Sequence, residues 1–362
     1  MIINKIIDED VSQIIDENNG LRELYGKTVM ITGASGMVGS YFVYTLMKLN
    51  EDYNADITVI PLIRNKNKLK KEVLSKKYVI PIEQDVIEPI EYIDNIDYIV
   101  HAAGPASPKI MREHPVETNF ANTIGTANTL KLAKEKNAKG YLFISSREIY
   151  GQPSKNQRIF IENGPLGQVD PLVPRNGYAE GKKAAENMCA GFREEYGLNT
   201  KIVRLAHTYG PGMSVDDGRV QADFLRNILN DEDIVLKSDG SSIRTYTYIS
   251  DAISAMFKVL LKSCDIVYNI ADERNETSIK SLAETMVNIY PEKGLKLVFD
   301  IPNEINKGVA AFTLGILSTD KIRDELNWEP KYSIKEGFKR TLEYLKMEKV
   351  NEKSIIKKLI KE

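Results

Sequence analysis

Short β-branched and aliphatic runs alternate with amphipathic stretches through the first two hundred residues. Lys27–Thr32, Ile57–Ile63, Tyr78–Ile82, Ile96–Val100, Gly140–Ser145 and Thr200–Leu205 read as buried strands. Between them, residues from about 37 to 49, 65–76, 116–136 and 178–195 have helical spacing. Strands alternating with helices of this length predict a parallel sheet covered on both faces, an α/β fold. Before the first strand, Ile2, Ile3, Ile6, Ile7, Val11, Ile14 and Ile15 recur on one helical face. Residues 1–26 are therefore expected to be a helical extension packed on the core or on a neighbouring subunit.

The second half has shorter elements, separated by loops such as Asp216-Asp217-Gly218, Asp239-Gly240 and Pro291-Glu292-Lys293-Gly294. The expected division is a dinucleotide-binding domain at 27–210 with segments returning later, a smaller mixed α/β substrate-binding lobe at 211–345, and a lysine-rich tail at 346–362, read as a solvated terminal helix or a frayed end.

Composition narrows the function. A net charge of −2 gives no electrostatic reason to expect nucleic acid or an anionic membrane as a partner. No run of 18 apolar residues is present, and the acidic N-terminus is unlike a signal peptide. Two cysteines, Cys189 and Cys264, suit a reducing compartment rather than a disulfide framework. The expectation is a soluble, cytoplasmic protein. Its three histidines, His101, His114 and His207, lack metal-ligand spacing, so no metal is expected.

Gly33, Gly36 and Gly39 stand where the first strand turns into a helix. Such a loop permits a tight turn, close approach of a pyrophosphate and close helix–strand packing. This makes the sheet a Rossmann-type, doubly wound one and implies NAD or NADP. No acidic residue ends the second strand; Arg64 stands there, followed by Asn65 and Lys66. An arginine or lysine there would attract a 2′-phosphate, so the cofactor leans toward NADP(H). Asp85 and Val86 are placed to reach the adenine. Tyr178 and Lys182, four apart, share a helical face. An ammonium beside a phenol favours phenolate, which can take a hydroxyl proton as hydride leaves the same carbon.

With His101-Ala102-Ala103-Gly104-Pro105-Ala106-Ser107-Pro108, Asn122-Thr-Ile-Gly-Thr126, Ser145-Ser-Arg-Glu-Ile-Tyr-Gly151 and Tyr178-x-x-x-Lys182 in this order, the chain resembles the extended short-chain dehydrogenase/reductase superfamily. More narrowly, it resembles the nucleotide-sugar epimerases, dehydratases and decarboxylases over about residues 27–345. Its segments at Pro105–Pro108, Tyr178–Lys182 with Ala185–Cys189, and Asp217–Val220 look most like UDP-glucuronate decarboxylases, and Leu326–Pro330 is a hallmark of the wider family. The resemblance implies catalytic roles for Ser146, Glu148, Tyr178 and Lys182. It also implies cofactor contacts from Ser35, Met37, Val38, Ala102, Ala103, Asn122, Tyr178 and Lys182 beside the glycines. Substrate contacts are implied for Pro105, Arg219 and Arg244, and the family forms homodimers through the helix after Asn122 and the helix bearing Tyr178.

Three positions depart from that pattern. Arg147 replaces a Ser or Asp, His207 replaces a substrate-binding Asn, and Asp223 replaces another Asn. Arg147 and His207 are thus candidate substrate-binding residues that alter the sugar pocket. Oxidising C4 of a sugar acidifies the C5 proton and makes a C6 carboxylate a β-keto acid, so decarboxylation, 4,6-elimination and 4-epimerisation share a first step. Glu148 counts against simple epimerisation. Arg147 cannot readily donate a proton; turned inward it would suit an acidic sugar, and turned outward it would meet a carboxylate such as Glu162. Decarboxylation is favoured, with a 4,6-dehydratase, an epimerase or reductase, and an idle nucleotide-sugar or NADP sensor as alternatives.

Overall fold

The computed structural model describes residues 4–154, 157–301 and 315–359, with side chains to 350. Seven parallel strands form the central sheet, in spatial order Val267–Ile270, Thr200–Leu205, Gly140–Ser146, Tyr98–His101, Thr28–Thr32, Thr58–Ile63 and Ile82–Glu83. Thr32 lies beside Leu62 on one side and His101 on the other. Chain order reverses at that first strand, which opens a crevice beyond the strands' C-terminal ends where ligands bind in such sheets.

Both faces of the sheet are covered. On one, the helices Lys5–Glu17, Met37–Tyr53 and Ile249–Lys262 pack together, with the Phe42 and Phe257 rings 4.6 Å apart. On the other, Pro115–Glu135 and Gly177–Tyr196 lie side by side and bury Leu130, Ala133, Ala185 and Cys189. Proline at the first position starts Pro115–Glu135, where its missing N–H costs nothing. Gly197, in the left-handed conformation at φ 67°, ends Gly177–Tyr196.

The N-terminal extension packs on its own chain. Its Asp10 carboxylate is fully buried, accepting hydrogen bonds from the Tyr41 and Tyr248 hydroxyls and from Arg340 at 2.7 Å. The smaller lobe contains helices Val220–Leu229 and Ile279–Val287 and two small sheets. One sheet orders Glu276–Ser278, Ile243–Tyr248 and His207–Tyr209; the other pairs Ile234–Leu236 with Leu297–Phe299.

Two expectations need correction. Residues 65–76 form only a turn at Lys66–Lys68 and a short helix at Lys71–Leu74. The Asn65 side chain caps the turn, and lysines at 66 and 70 would repel one another in a longer helix. The strand expected at 78–82 is reduced to a bridge at Val79 and the pair Ile82–Glu83, because Pro81 cannot donate to a ladder. The residues from 346 to 359 are helical, as the last part of the helix Ile334–Leu359, and 360–362 lie outside the described residues.

Candidate active site

The glycine loop meets the steric demands of a dinucleotide cradle. Gly33 has φ 65°, and a Cβ there would sit 2.8 Å from the Ala102 carbonyl oxygen. A Cβ at Gly39 would lie 2.4 Å from the Gly33 oxygen, so only glycine lets helix and strand approach this closely. Gly36 caps the following helix with no side-chain hydrogen bond, leaving the first N–H groups of Met37–Tyr53 available to a phosphate. Ser35 is exposed at the turn, while Met37 and Val38 are half-buried against the core.

Around this cradle stand the other expected cofactor residues. The Ala103 amide donates to Thr32 Oγ1, which holds the Ala102–Ala103 backbone at the crevice. Asp85 Oδ1 accepts from the Ile87 amide, and Val86 packs on Gly125. Asn122 is buried and its Oδ1 has no partner; a Cβ on Gly104 would lie 2.9 Å from that oxygen and 3.7 Å from Lys182 Nζ. An orphaned acceptor beside an amine fits a polar group brought in by a ligand. At the end of the second strand Arg64 is exposed, whereas Lys66 is engaged by Glu83 through its amide and, at 3.8 Å, its amine.

The strand Gly140–Ser146 ends in a tight turn, Arg147–Tyr150, with Ser146 Oγ accepting from the Glu148 amide at 3.2 Å. The turn brings Ser146 and Glu148 within reach of the Tyr178 hydroxyl, where the Ser146 side chain favours the phenolate and the Glu148 charge opposes it. Burial, then the Glu148 charge, pushes the Tyr178 phenol up to about 12, while Ser146, Arg219 and Arg175 pull it down. This corrects the expectation that Lys182 brings the phenol toward neutrality. Lys182 Nζ lies 5.9 Å from the Tyr178 ring centroid, donates to the Ile144 carbonyl at 2.7 Å, and is itself lowered to about 7 by burial.

Sequence reasoning gave no role to two residues of this neighbourhood. Arg175, in the turn Pro174–Asn176, makes two parallel bonds to Glu148: Nη1 to Oε2 at 2.9 Å and Nη2 to Oε1 at 3.0 Å. Glu186, one turn beyond Lys182, accepts from Ser145 Oγ and from Arg204, and its charge holds the Lys182 amine up against burial. Their spacings, three before Tyr178 and four after Lys182, were the available signals.

Arginines line the other wall. Arg219 caps the helix Val220–Leu229, donates to the Ala106 carbonyl at 2.8 Å and lies 3.6 Å from Asp217, whose own carbonyl accepts from Ser107. The segment following Pro105 therefore meets the Asp217–Val220 segment in space. Arg244 is on the strand whose Tyr246 pairs with His207, and its Nη1 donates to the Ile243 carbonyl. Burial and the charges of Arg147, Arg244 and Arg219 lower His207 and keep it neutral, a setting that repels a metal cation. Arg147 does not pair with Glu162: it is buried, its Nη2 donates to the Gly315 carbonyl at 2.7 Å, and burial with Arg244 lowers it to about 9. Asp223 pairs with Arg226 at 2.6 Å.

A profile described as the NAD dependent epimerase/dehydratase family matches residues 29–271. The chain belongs to that family. It is 32% identical over 310 residues to UDP-glucuronic acid decarboxylase 5 of Arabidopsis thaliana, covering 85% of this chain and 86% of the relative. It is 30% identical to UDP-glucuronic acid decarboxylase 1 of Xenopus tropicalis, covering 91% and 74%. Among solved structures, the fold is shared with a UDP-glucose 4-epimerase from Thermotoga maritima (TM-score 0.74, 24% identity, 88% of this chain and 99% of that one). It is also shared with an NAD-bound dTDP-glucose 4,6-dehydratase from Bacillus anthracis (TM-score 0.68, 21% identity, 89% and 97%). Family and relatives set the chain among NAD-dependent nucleotide-sugar-modifying enzymes, not idle sensors.

Proposed function

We propose that this enzyme decarboxylates a nucleotide-linked uronic acid, with UDP-glucuronate the first substrate to try. The observation that carries the reading is the meeting of Ser146 and Glu148, at one strand end, with Tyr178 on the adjacent helix, whose phenol also feels the Arg219 charge. The kinship to UDP-glucuronic acid decarboxylases over 85% of the chain supports the same substrate class.

Arg219 and Arg244 would bind the diphosphate, a task suited to planar guanidinium groups. The glycine cradle, Asn122 and Lys182 would hold the dinucleotide, which when bound supplies the hydride acceptor and donor. Tyr178 takes the proton from the sugar 4-hydroxyl, oriented by Ser146. Once C4 is a ketone, the C6 carboxylate is a β-keto acid and loses carbon dioxide; the C5–C6 electron pair becomes a C4–C5 enolate, which takes a solvent proton at C5, and Tyr178 returns its proton to the C4 oxygen as C4 is reduced. Glu148, beside the phenol, holds the sugar during that loss. Pro105 would line the sugar pocket, and Arg147 and His207 would shape its depth from behind.

Arg64 would meet the 2′-phosphate of NADP(H), the cofactor we favour; the engagement of Lys66 by Glu83 leaves the choice to Arg64. A homodimer would form on the helices Pro115–Glu135 and Gly177–Tyr196. Val116, Phe120 and Ile124 make an exposed apolar stripe at four-residue spacing on the first, and Ala184 and Ala190 are exposed on the second. Ala185 faces the core instead, and Met188 is half-buried against it. Among the described residues no helix is long and apolar enough to cross a membrane, and we assign the enzyme to the cytoplasm.

The test is incubation with UDP-glucuronate and each cofactor. Carbon dioxide and a UDP-pentose are expected. A 4-keto-6-deoxy product from a neutral nucleotide-hexose, with no carbon dioxide from any uronic acid, would overturn the reading in favour of a 4,6-dehydratase.

A further inference from the structure

We propose that Arg175 is a positioning residue of this site, clamping Glu148 and cancelling its charge beside the Tyr178 hydroxyl. The inference rests on the reading of Tyr178 as the acid–base group.

Geometry supplies the clamp. The two parallel bonds fix both the position and the plane of the Glu148 carboxylate, which a single contact would leave free to rotate. Arg175 is itself well anchored. It lies in a turn closed by the Asn176 amide on the Val173 carbonyl at 2.8 Å, and the Asn176 side chain holds the Asp170 carbonyl at 2.9 Å. That turn leads directly into the helix bearing Tyr178, so guanidinium and phenol belong to one rigid piece.

Exposure argues for a functional rather than a structural pair. The Arg175 and Glu148 side chains are 39% and 25% exposed. Pairs this accessible contribute little to folding stability. Around the phenol, the strand end presents Ser146 and Glu148, the turn presents Arg175, the helix cap at Arg219 presents a second guanidinium, and Lys182 lies on the phenol's own helix. Glu148 is the one anion among them. Unpaired, it would oppose every approach of Tyr178 to phenolate; paired, it retains its hydrogen-bonding oxygens while its field is largely cancelled.

The experiment measures kcat/KM against pH for the full-length protein with UDP-glucuronate and its preferred cofactor, in Arg175→Met, Arg175→Lys, Glu148→Gln and the Glu148→Gln/Arg175→Met double variant. Arg175→Met should move the acid limb alkaline by about one pH unit and lower turnover near neutrality roughly tenfold. Glu148→Gln alone should move the limb the opposite way. The double variant should bring the limb back to within about 0.3 unit of the unaltered protein, and Arg175→Lys should restore part of it. Thermal midpoints should stay within about 2 °C throughout. An Arg175→Met limb that does not move, or one that moves equally with and without the Glu148 carboxylate, overturns the proposal while Tyr178→Phe inactivity leaves the parent reading standing. Turnover surviving Tyr178→Phe overturns the parent reading, and this inference falls with it.

Discussion

The Arg147 guanidinium donates to the Gly315 carbonyl at 2.7 Å, joining the turn after the strand Gly140–Ser146 to a segment 168 residues later. Gly315 is tightly enclosed, since a Cβ there would lie 2.5 Å from the Phe160 ring. Arg147 thus pins the loop that carries Glu148 to the strand Ile316–Leu317. Arg147→Met should leave a buried carbonyl without its donor and cost about 1–3 kcal/mol, measured by urea unfolding. A variant as stable as the parent would mean that the Gly315 carbonyl finds another partner.

Tyr178→Phe should lower turnover roughly 10²–10⁴-fold while nucleotide-sugar binding, measured by calorimetry, stays within a few-fold. Activity within tenfold of the parent would remove Tyr178 from the chemistry.

Lys182 gives a signed pH prediction. Burial lowers it from 10.5 to about 7 in the folded protein, so between those values the unfolded chain binds more protons and stability rises with pH. The cost of burying this amine is complete below pH 7 and fades toward pH 10.5, by about 1.4 kcal/mol per pH unit at most. Lys182→Met should therefore gain more stability over the parent at pH 7 than at pH 10, while losing activity. Denaturant midpoints at the two values check this; a pH-independent difference would show that the amine is not perturbed.

Arg64→Asp should shift preference from NADP(H) to NAD(H), because a carboxylate there repels a 2′-phosphate and accepts from ribose hydroxyls. Calorimetric titration with both cofactors decides it. An unaltered protein that already prefers NAD(H) would contradict the assignment.

Phe120→Asp places a charge in the middle of the Val116–Phe120–Ile124 stripe. It should convert a dimer of about 82 kDa, twice the 40.9 kDa chain, to monomer in light scattering without loss of folded structure. A parent that is monomeric at micromolar concentration would dismiss the interface.

The sheet was legible because buried parallel strands are near-continuous apolar runs: Thr28–Thr32, Thr58–Ile63 and Thr200–Leu205 match their expected runs to within a residue. Gly33, Gly36 and Gly39 were legible because each answers a steric requirement at a strand–helix turn. What local pattern could not supply was pairing across distance. The Arg147–Gly315 bond, the Asp10 cage and the Glu148–Arg175 clamp depend on where the sheet delivers each end, not on neighbouring residues. The Lys182 expectation failed for a related reason. A four-residue spacing puts two side chains on one face but says nothing of depth, and burial outweighs proximity at both Tyr178 and Lys182.

The Asp10 cage ties together residues far apart along the chain. One carboxylate gathers Tyr41 from the glycine-loop helix, Tyr248 from the strand of Arg244, and Arg340 from the C-terminal helix. The helices Lys5–Glu17 and Ile334–Leu359 are thereby riveted to each other, to the helix after the glycine loop and to the strand of Arg244. A nascent chain cannot close that rivet until Arg340 has been synthesised, so these three elements are tied together only after all of them have been made.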